Sequence, residues 1–285
     1  MMYQKTALVL EGGGFRGIFT AGILEVFLEN RIFFESVYGV SAGAAYGVSY
    51  ASEQLGRNLA VNDLINDKRY CSWNNWLRKG SIFDWDFVYE EVPQKMIPFD
   101  YDTLQKTESK FYVGTSDCKT GKAEFYRLNK ADKKEFKTIL AASSSLPFIS
   151  PMVQYDGKIL MDGGLADSIP FEYALNTGLN RAVIILTQPE DYAKAPLKYP
   201  GIFKWYYRKY PKVYEMLVSR ARRYNADIRK IAELEKSEIV FVIRPEKAVE
   251  IKRIENNPQK TASVYHRAMA QARRLLPELE NWLQQ

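Results

Sequence analysis

Ser41 stands in Gly39-Val40-Ser41-Ala42-Gly43, a G-x-S-x-G run. A serine hydroxyl attacks an acyl carbonyl only when a base takes its proton and nearby donors receive the charge that develops on the carbonyl oxygen. The flanking residues read as a strand, Ser36–Val40, and a small-residue helix, Ala42–Ala51. That is the form of a nucleophile elbow, a tight strand-to-helix turn that lifts the hydroxyl out of the fold. Gly39 and Gly43 allow backbone approaches too close for a Cβ. The helix N-terminus then turns free N–H groups and a partial positive charge toward a developing oxyanion. The plainer alternative is a βα turn in which Ser41 serves only as the helix N-cap.

A second chemical element lies upstream. The buried-strand candidate Thr6–Leu10 runs into Glu11-Gly12-Gly13-Gly14-Phe15-Arg16-Gly17, and a helical pattern follows. Two readings stand at this point. Gly12, Gly14 and Gly17 satisfy a G-x-G-x-x-G dinucleotide loop, with Glu35 near the position of its acidic partner. Alternatively, the consecutive glycines form a nest of N–H groups able to hold an alkoxide. Arg16 either shapes that loop or is a solvated, helix-bracing cation.

The third element is Asp162-Gly163-Gly164, which follows the apolar segment Lys158–Met161. An aspartate at a strand end, followed by glycines, is placed to reach a neighbouring loop; its plainer use is to shape a turn. With all three elements in this order, the chain resembles the patatin-like phospholipases over residues 5–190. The resemblance rests on G-G-G-x-R-G at Gly12–Gly17, G-x-S-x-G at Gly39–Gly43, D-G-G at Asp162–Gly164, and the stretch Ala141–Pro147 ahead of the aspartate. It implies a lipid acyl hydrolase acting on phospholipids or related glycerolipids, with Ser41 as nucleophile and Asp162 as its base. It assigns the oxyanion hole to Gly12, Gly13 and Gly14, shaped by Arg16, and requires neither metal nor cofactor. Glu11 stands where family members often carry aspartate, a conservative change with little expected consequence. An exposed aspartate, with a pKa near ~3.9, is a weak base, and burial in an apolar pocket would improve the match.

The chain has one histidine, His266. Ser41, Asp162 and His266 fall in the order of a Ser-Asp-His hydrolase, so a triad competes with the dyad. Against it, too few strands precede Ser41 for that fold, and His266 lies within Ala262–Leu276, an amphipathic helix. A dinucleotide-binding module and a catalytically silent scaffold also stay open.

Composition narrows the remaining classes. Hydrophobic residues make up 46% and charged residues 26% of the 285, ordinary values for a globular chain. No apolar run reaches the ~18 residues of a membrane span, and the N-terminus does not read as a signal peptide. Two lone cysteines, Cys71 and Cys118, fit a reducing cytoplasm, and with one histidine they make a zinc or haem site improbable.

The elements alternate along the chain. Hairpins are expected at Lys110–Leu128 and Met152–Met161, a helix at Phe136–Ala142, a strand at Arg181–Thr187, a last strand at Glu238–Ile243, and a helix at Thr261–Leu283 broken at Pro277. Strands interleaved with helices predict a three-layer α/β/α sandwich with a mostly parallel central sheet, here as one domain over 1–285 with a core at 5–190 and an extension at 191–285. Gly56–Asp100 carries Trp73, Trp76 and Trp85 and is read as lid or acyl channel. Gly201–Lys230 is basic, with Tyr206, Tyr210, Val213, Tyr214 and Leu217 at helical spacing. One reading is peripheral contact with an anionic membrane; the other is an amphipathic helix packed on the sheet. No nucleic-acid partner is expected from the net charge of +6.

Overall fold

The computed structural model describes residues 2–285. The strands are β1 (Met2–Leu10), β2 (Phe33–Val40), β3 (Lys110–Asp117), β4 (Ala123–Arg127), β5 (Val153–Tyr155), β6 (Lys158–Asp162), β7 (Arg181–Ile185) and β8 (Val240–Ile243). They form an eight-stranded sheet in the order β5-β6-β3-β2-β1-β7-β8, with β4 also paired to β3. β3, β2, β1, β7 and β8 are parallel, whereas β4, β5 and β6 supply the antiparallel end. Both expected hairpins are present, as β3–β4 and β5–β6.

The helices are α1 (Ile18–Glu29), α2 (Ala42–Ala51), α3 (Arg57–Asn62), α4 (Trp73–Lys79), α5 (Tyr101–Lys106), α6 (Lys133–Ser143), α7 (Phe171–Leu175), α8 (Pro200–Tyr206), α9 (Pro211–Lys236) and α10 (Pro258–Gln284). Alternation along the central strands separates two layers of core. Leu8, Leu10, Phe111, Val183 and Ile243 pack with α1, α2, α6 and α10 on one face. Ala7, Val9, Tyr38, Ala182 and Ile184 pack with α7 and α9 on the other. The result is the expected three-layer sandwich. α10 joins the first core through Tyr265, Ala268, Met269 and Ala272, so the last helix completes a layer begun by α1.

Local signals set several helix starts. Asp132 and Glu135 form a capping box on α6, and Asn257 caps α10 through the Lys260 N–H. Two expectations fail at proline. α10 continues through Pro277, because the carbonyl deprived of its partner belongs to the exposed Arg273 and can be solvated. Gly201–Lys230 is not one helix: α8 ends at Tyr206 and Pro211 opens α9. In α9, Val213, Leu217 and Tyr224 are buried, as core packing requires, while α8 leaves Ile202, Trp205 and Tyr206 exposed.

Candidate active site

The strand registers bring Ser41 and Asp162 together. Val40, the last residue of β2, pairs with Gly114 of β3, and the next β3 residue, Thr115, pairs with Asp162 at the end of β6. Both side chains therefore emerge at the same level of the sheet. Ser41 Oγ donates to Asp162 Oδ2 at 2.6 Å, and both residues are buried. The second carboxylate oxygen, Oδ1, accepts the Gly164 N–H at 2.8 Å, which holds the aspartate in place through the D-G-G turn. Gly163 lies directly on Gly114 of β3.

Ser41 adopts φ 53°, ψ −121°, a conformation that costs a non-glycine residue about 1–3 kcal/mol. Its surroundings hold it there. Gly43 sits under the elbow, where a methyl group would come within 2.4 Å of the Leu10 carbonyl. Gly39, on the strand side of the turn, packs on Ala44. The Ser41 N–H donates to Ser143 Oγ at 2.8 Å, and Ser143 in turn donates to the Gly114 carbonyl at 2.6 Å. This use of the Ser41 N–H removes it as an oxyanion donor.

The glycine loop carries free N–H groups. The Gly12 N–H donates to the Ser168 carbonyl at 3.2 Å. Those of Gly13 and Gly14 have no hydrogen-bond partner among the described residues. A methyl at Gly13 would lie 2.7 Å from Thr187 Oγ1, so the loop runs pressed against the end of β7. Glu11 fixes that contact: its Oε2 accepts the Thr187 N–H at 2.5 Å and the Thr187 hydroxyl at 3.0 Å. The longer acidic side chain thus has a defined structural task. Arg16 follows on the 3-10 turn before α1, its Nε buried without a protein acceptor.

Two cavities meet at Ser41. The first is apolar, walled by α2 residues such as Ala45 and Val48 and by Phe83, Trp85, Val88 and Phe99 from the segment between α2 and β3. Trp85 therefore belongs to a channel wall, whereas Trp73 and Trp76 on α4 face outward. Burial pushes the phenols of Tyr46 and Tyr70 up, and that of Tyr89 up to about 12, so these wall residues are uncharged at neutral pH. The second cavity has a mixed lining: Leu146, Phe148 and Leu217 stand beside Gly12, Gly13, Gly14, Arg16, Asp162, Lys194, Arg220 and Arg253.

Residues 8–175 match the family model for patatin-like phospholipase. The chain belongs to the patatin-like phospholipase family. Residues 210–284 match a second family model, a domain of unknown function (DUF6363). The chain is 30% identical over 210 residues to the uncharacterized protein YjjU of Escherichia coli, covering 70% of this chain and 57% of that one. It is 24% identical over 201 residues to lysophospholipase NTE1 of Cryptococcus neoformans, covering 66% of this chain but 12% of that protein. The chain thus spans little more than half of the first relative and a small part of the second. VipD of Legionella pneumophila overlays 96% of this chain and 66% of its own with a TM-score of 0.48 and 12% identity.

Two possibilities raised by the sequence meet contrary geometry in this family member. His266 is exposed on α10, its ring against Tyr265, and it lines neither cavity that opens at Ser41. Glu35 lies at the opposite end of β2 from the glycine loop, since Tyr3 pairs with Phe34 and Leu10 with Gly39. There it accepts the Lys5 N–H at 2.7 Å and pairs with Lys110 at 3.3 Å, away from any ribose position. Several site residues carry no motif. Ser143 is visible in the sequence only as part of a serine run, and Arg253 lies in an irregular loop about ninety residues beyond Asp162. Among the described residues no helix is long and apolar enough to cross a membrane.

Proposed function

We propose that this chain is a serine acyl hydrolase that cleaves fatty acyl esters of phospholipids or related glycerolipids through a Ser41–Asp162 dyad. The observation that carries the reading is the 2.6 Å contact between Ser41 Oγ and Asp162 Oδ2 at the mouth of an apolar cavity. Asp162 takes the hydroxyl proton as Ser41 Oγ bonds to the acyl carbon. The resulting oxyanion receives the N–H groups of Gly13 and Gly14, and each such donor is worth about 2.7–4 kcal/mol in the transition state. The ester C–O bond then breaks, and Asp162 returns the proton to the leaving alcohol. Water attacks the acyl-enzyme, Asp162 takes its proton, and the fatty acid leaves as Ser41 regains its hydrogen. A relative bearing the name lysophospholipase supports a lipid ester as the substrate class.

In this reading the apolar cavity holds the acyl chain. Ala45 faces it from α2, one helical turn beyond Ser41. An Ala45→Phe substitution is expected to lower the ratio of palmitoyl-ester to butyryl-ester hydrolysis by about tenfold, the scale of overfilling a packed space. The two rates, measured side by side on p-nitrophenyl esters, check this. An unchanged ratio would place the chain elsewhere, and no fatty-acid release from any ester would end the acyl-hydrolase reading.

The membrane contact assigned to Gly201–Lys230 is proposed in narrower form, at α8. Ile202, Trp205 and Tyr206 are exposed there, and the Phe148 ring meets Phe203 edge-on and Tyr206 at a tilt while its carbonyl accepts the Trp76 indole N–H. Lys204, Arg208 and Lys209 flank them. Three cations of α9 are held within the protein: Lys212 pairs with Glu215, Lys230 with Glu172, and Arg223 bonds to the Leu165 carbonyl. Aromatic and basic side chains together suit an anionic headgroup layer. Trp205→Ala with Ile202→Ser is expected to weaken co-sedimentation with phosphatidylglycerol vesicles about tenfold. Equal sedimentation of variant and wild type would remove α8 from the contact.

A further inference from the structure

The second cavity contains more positive charge than the dyad chemistry uses. Arg16 comes from the glycine loop, Lys194 from the loop after β7, Arg220 from α9, and Arg253 from the loop before α10. None of the four makes a salt bridge among the described residues. The buried Nε atoms of Arg16 and Arg220 have no protein acceptor. Arg253 is exposed to solvent and lines the apolar cavity as well. The Arg220 guanidinium lies against Gly164, on the turn that holds Asp162. Two carboxylates lie nearby, Asp162 and Glu11, so the four cations exceed their counter-charge by two. Like-charged groups gathered in excess of their counter-charge in a partly desolvated space are costly. An anion with several acceptor oxygens removes that cost, and guanidinium forks match phosphate geometry.

We infer that this chamber binds the phosphodiester of an anionic glycerophospholipid while the acyl ester of the same molecule reaches Ser41, selecting such lipids over choline lipids and uncharged acylglycerols. The inference rests on the acyl-hydrolase reading above and specifies its substrate. A choline cation is disfavoured here, since four cationic side chains line the chamber against one carboxylate, Asp162. Lys194 adds a pH signature. Its ammonium lies 3.9 Å from the centre of the Tyr224 ring, and burial together with Arg220, Arg253 and Arg16 pushes it down to about 7, with Glu11 opposing. A bound phosphodiester favours the charged ammonium and remains ionised itself. The preference for the anionic lipid is therefore full below about pH 7 and declines as the pH rises to about 8.5.

The test compares kcat/KM for lysophosphatidylglycerol, lysophosphatidylcholine and monoacylglycerol of one chain length in neutral detergent micelles, so that surface charge does not recruit the enzyme. The expected order is the order given, with at least about tenfold between first and last. Arg220→Gln and Lys194→Met are each expected to cut the ratio of the first to the last about 10- to 100-fold, the scale of a lost charge-assisted contact. If a variant fails to fold, the wild-type ratio and its decline between pH 6 and 8.5 decide the matter. Equal cleavage of all three keeps the acyl-hydrolase reading and overturns the headgroup chamber. Cleavage of none overturns the reading beneath it. Inorganic phosphate serves as a separate probe: if it raises the melting temperature while the lipid ratio is flat, the chamber holds a free anion and the headgroup assignment fails.

Discussion

Ser41→Ala is expected to lower acyl-ester turnover by roughly 10⁵- to 10⁶-fold, the loss seen when a nucleophile is removed from a hydrolase whose other parts remain. The variant should still fold. The unusual backbone at φ 53° is held by Gly43 beneath the elbow and by the N–H bond to Ser143 Oγ, and alanine retains both contacts. The direct loss is one hydrogen bond to Asp162 Oδ2, while Oδ1 keeps the Gly164 N–H. That change costs about 1–3 kcal/mol of stability at most, since an acceptor is left buried. Steady-state hydrolysis together with a thermal melt separates the two effects. A variant that melts near wild type and retains more than about a hundredth of its activity would remove Ser41 from the chemistry, because general-base and binding effects alone do not supply that much rate.

Asp162→Asn carries the second large effect, about 10²- to 10⁴-fold in turnover, because an amide cannot take the serine proton. The substitution is nearly isosteric: the amide oxygen can still receive the Gly164 N–H, and the Ser116 hydroxyl continues to donate to the residue 162 carbonyl. His266→Ala supplies the contrast and should leave turnover within about twofold, as expected for a change on the exposed face of α10 away from special features. The pair of variants divides a dyad from a triad. Loss of activity in His266→Ala, with a normal melt, would reinstate the histidine as base.

The parts of the site that act through local backbone geometry are legible in the sequence. A strand, three glycines and a helix announce a nest of N–H groups; G-x-S-x-G announces a strained turn; an aspartate with two glycines after it announces a strand end with a tight exit. Each depends on neighbours within a few residues. The alternation of apolar strands with helices likewise carries the layer order, since burial on both faces of β1 and β7 requires it.

What escapes the sequence is set by tertiary packing. The chamber draws Lys194, Arg220 and Arg253 from three separate segments, and a lone basic residue has no spacing to betray its direction. Arg220 sits in a run that reads as a solvated basic face; only the packing of α9 on the core turns that side chain toward the site. Ser143 is indistinguishable from its serine neighbours until its hydroxyl is placed between the Ser41 N–H and the Gly114 carbonyl. The region between α2 and β3 carries tryptophans without a motif, and its wall of Phe83, Trp85 and Val88 belongs to a cavity defined by long-range contacts. Glu11, a small departure from the family pattern, is the residue that holds the glycine loop against Thr187.

The central claim is that an aspartate, without a histidine, activates Ser41. A fluorophosphonate reacts only with an activated serine, so its adduct reports that activation directly. Wild type and His266→Ala should carry the label on the peptide containing Ser41 at equal rates, and Asp162→Asn should acquire it at least about a hundredfold more slowly. A label on another residue, or equal labelling of Asp162→Asn and wild type, would contradict the account.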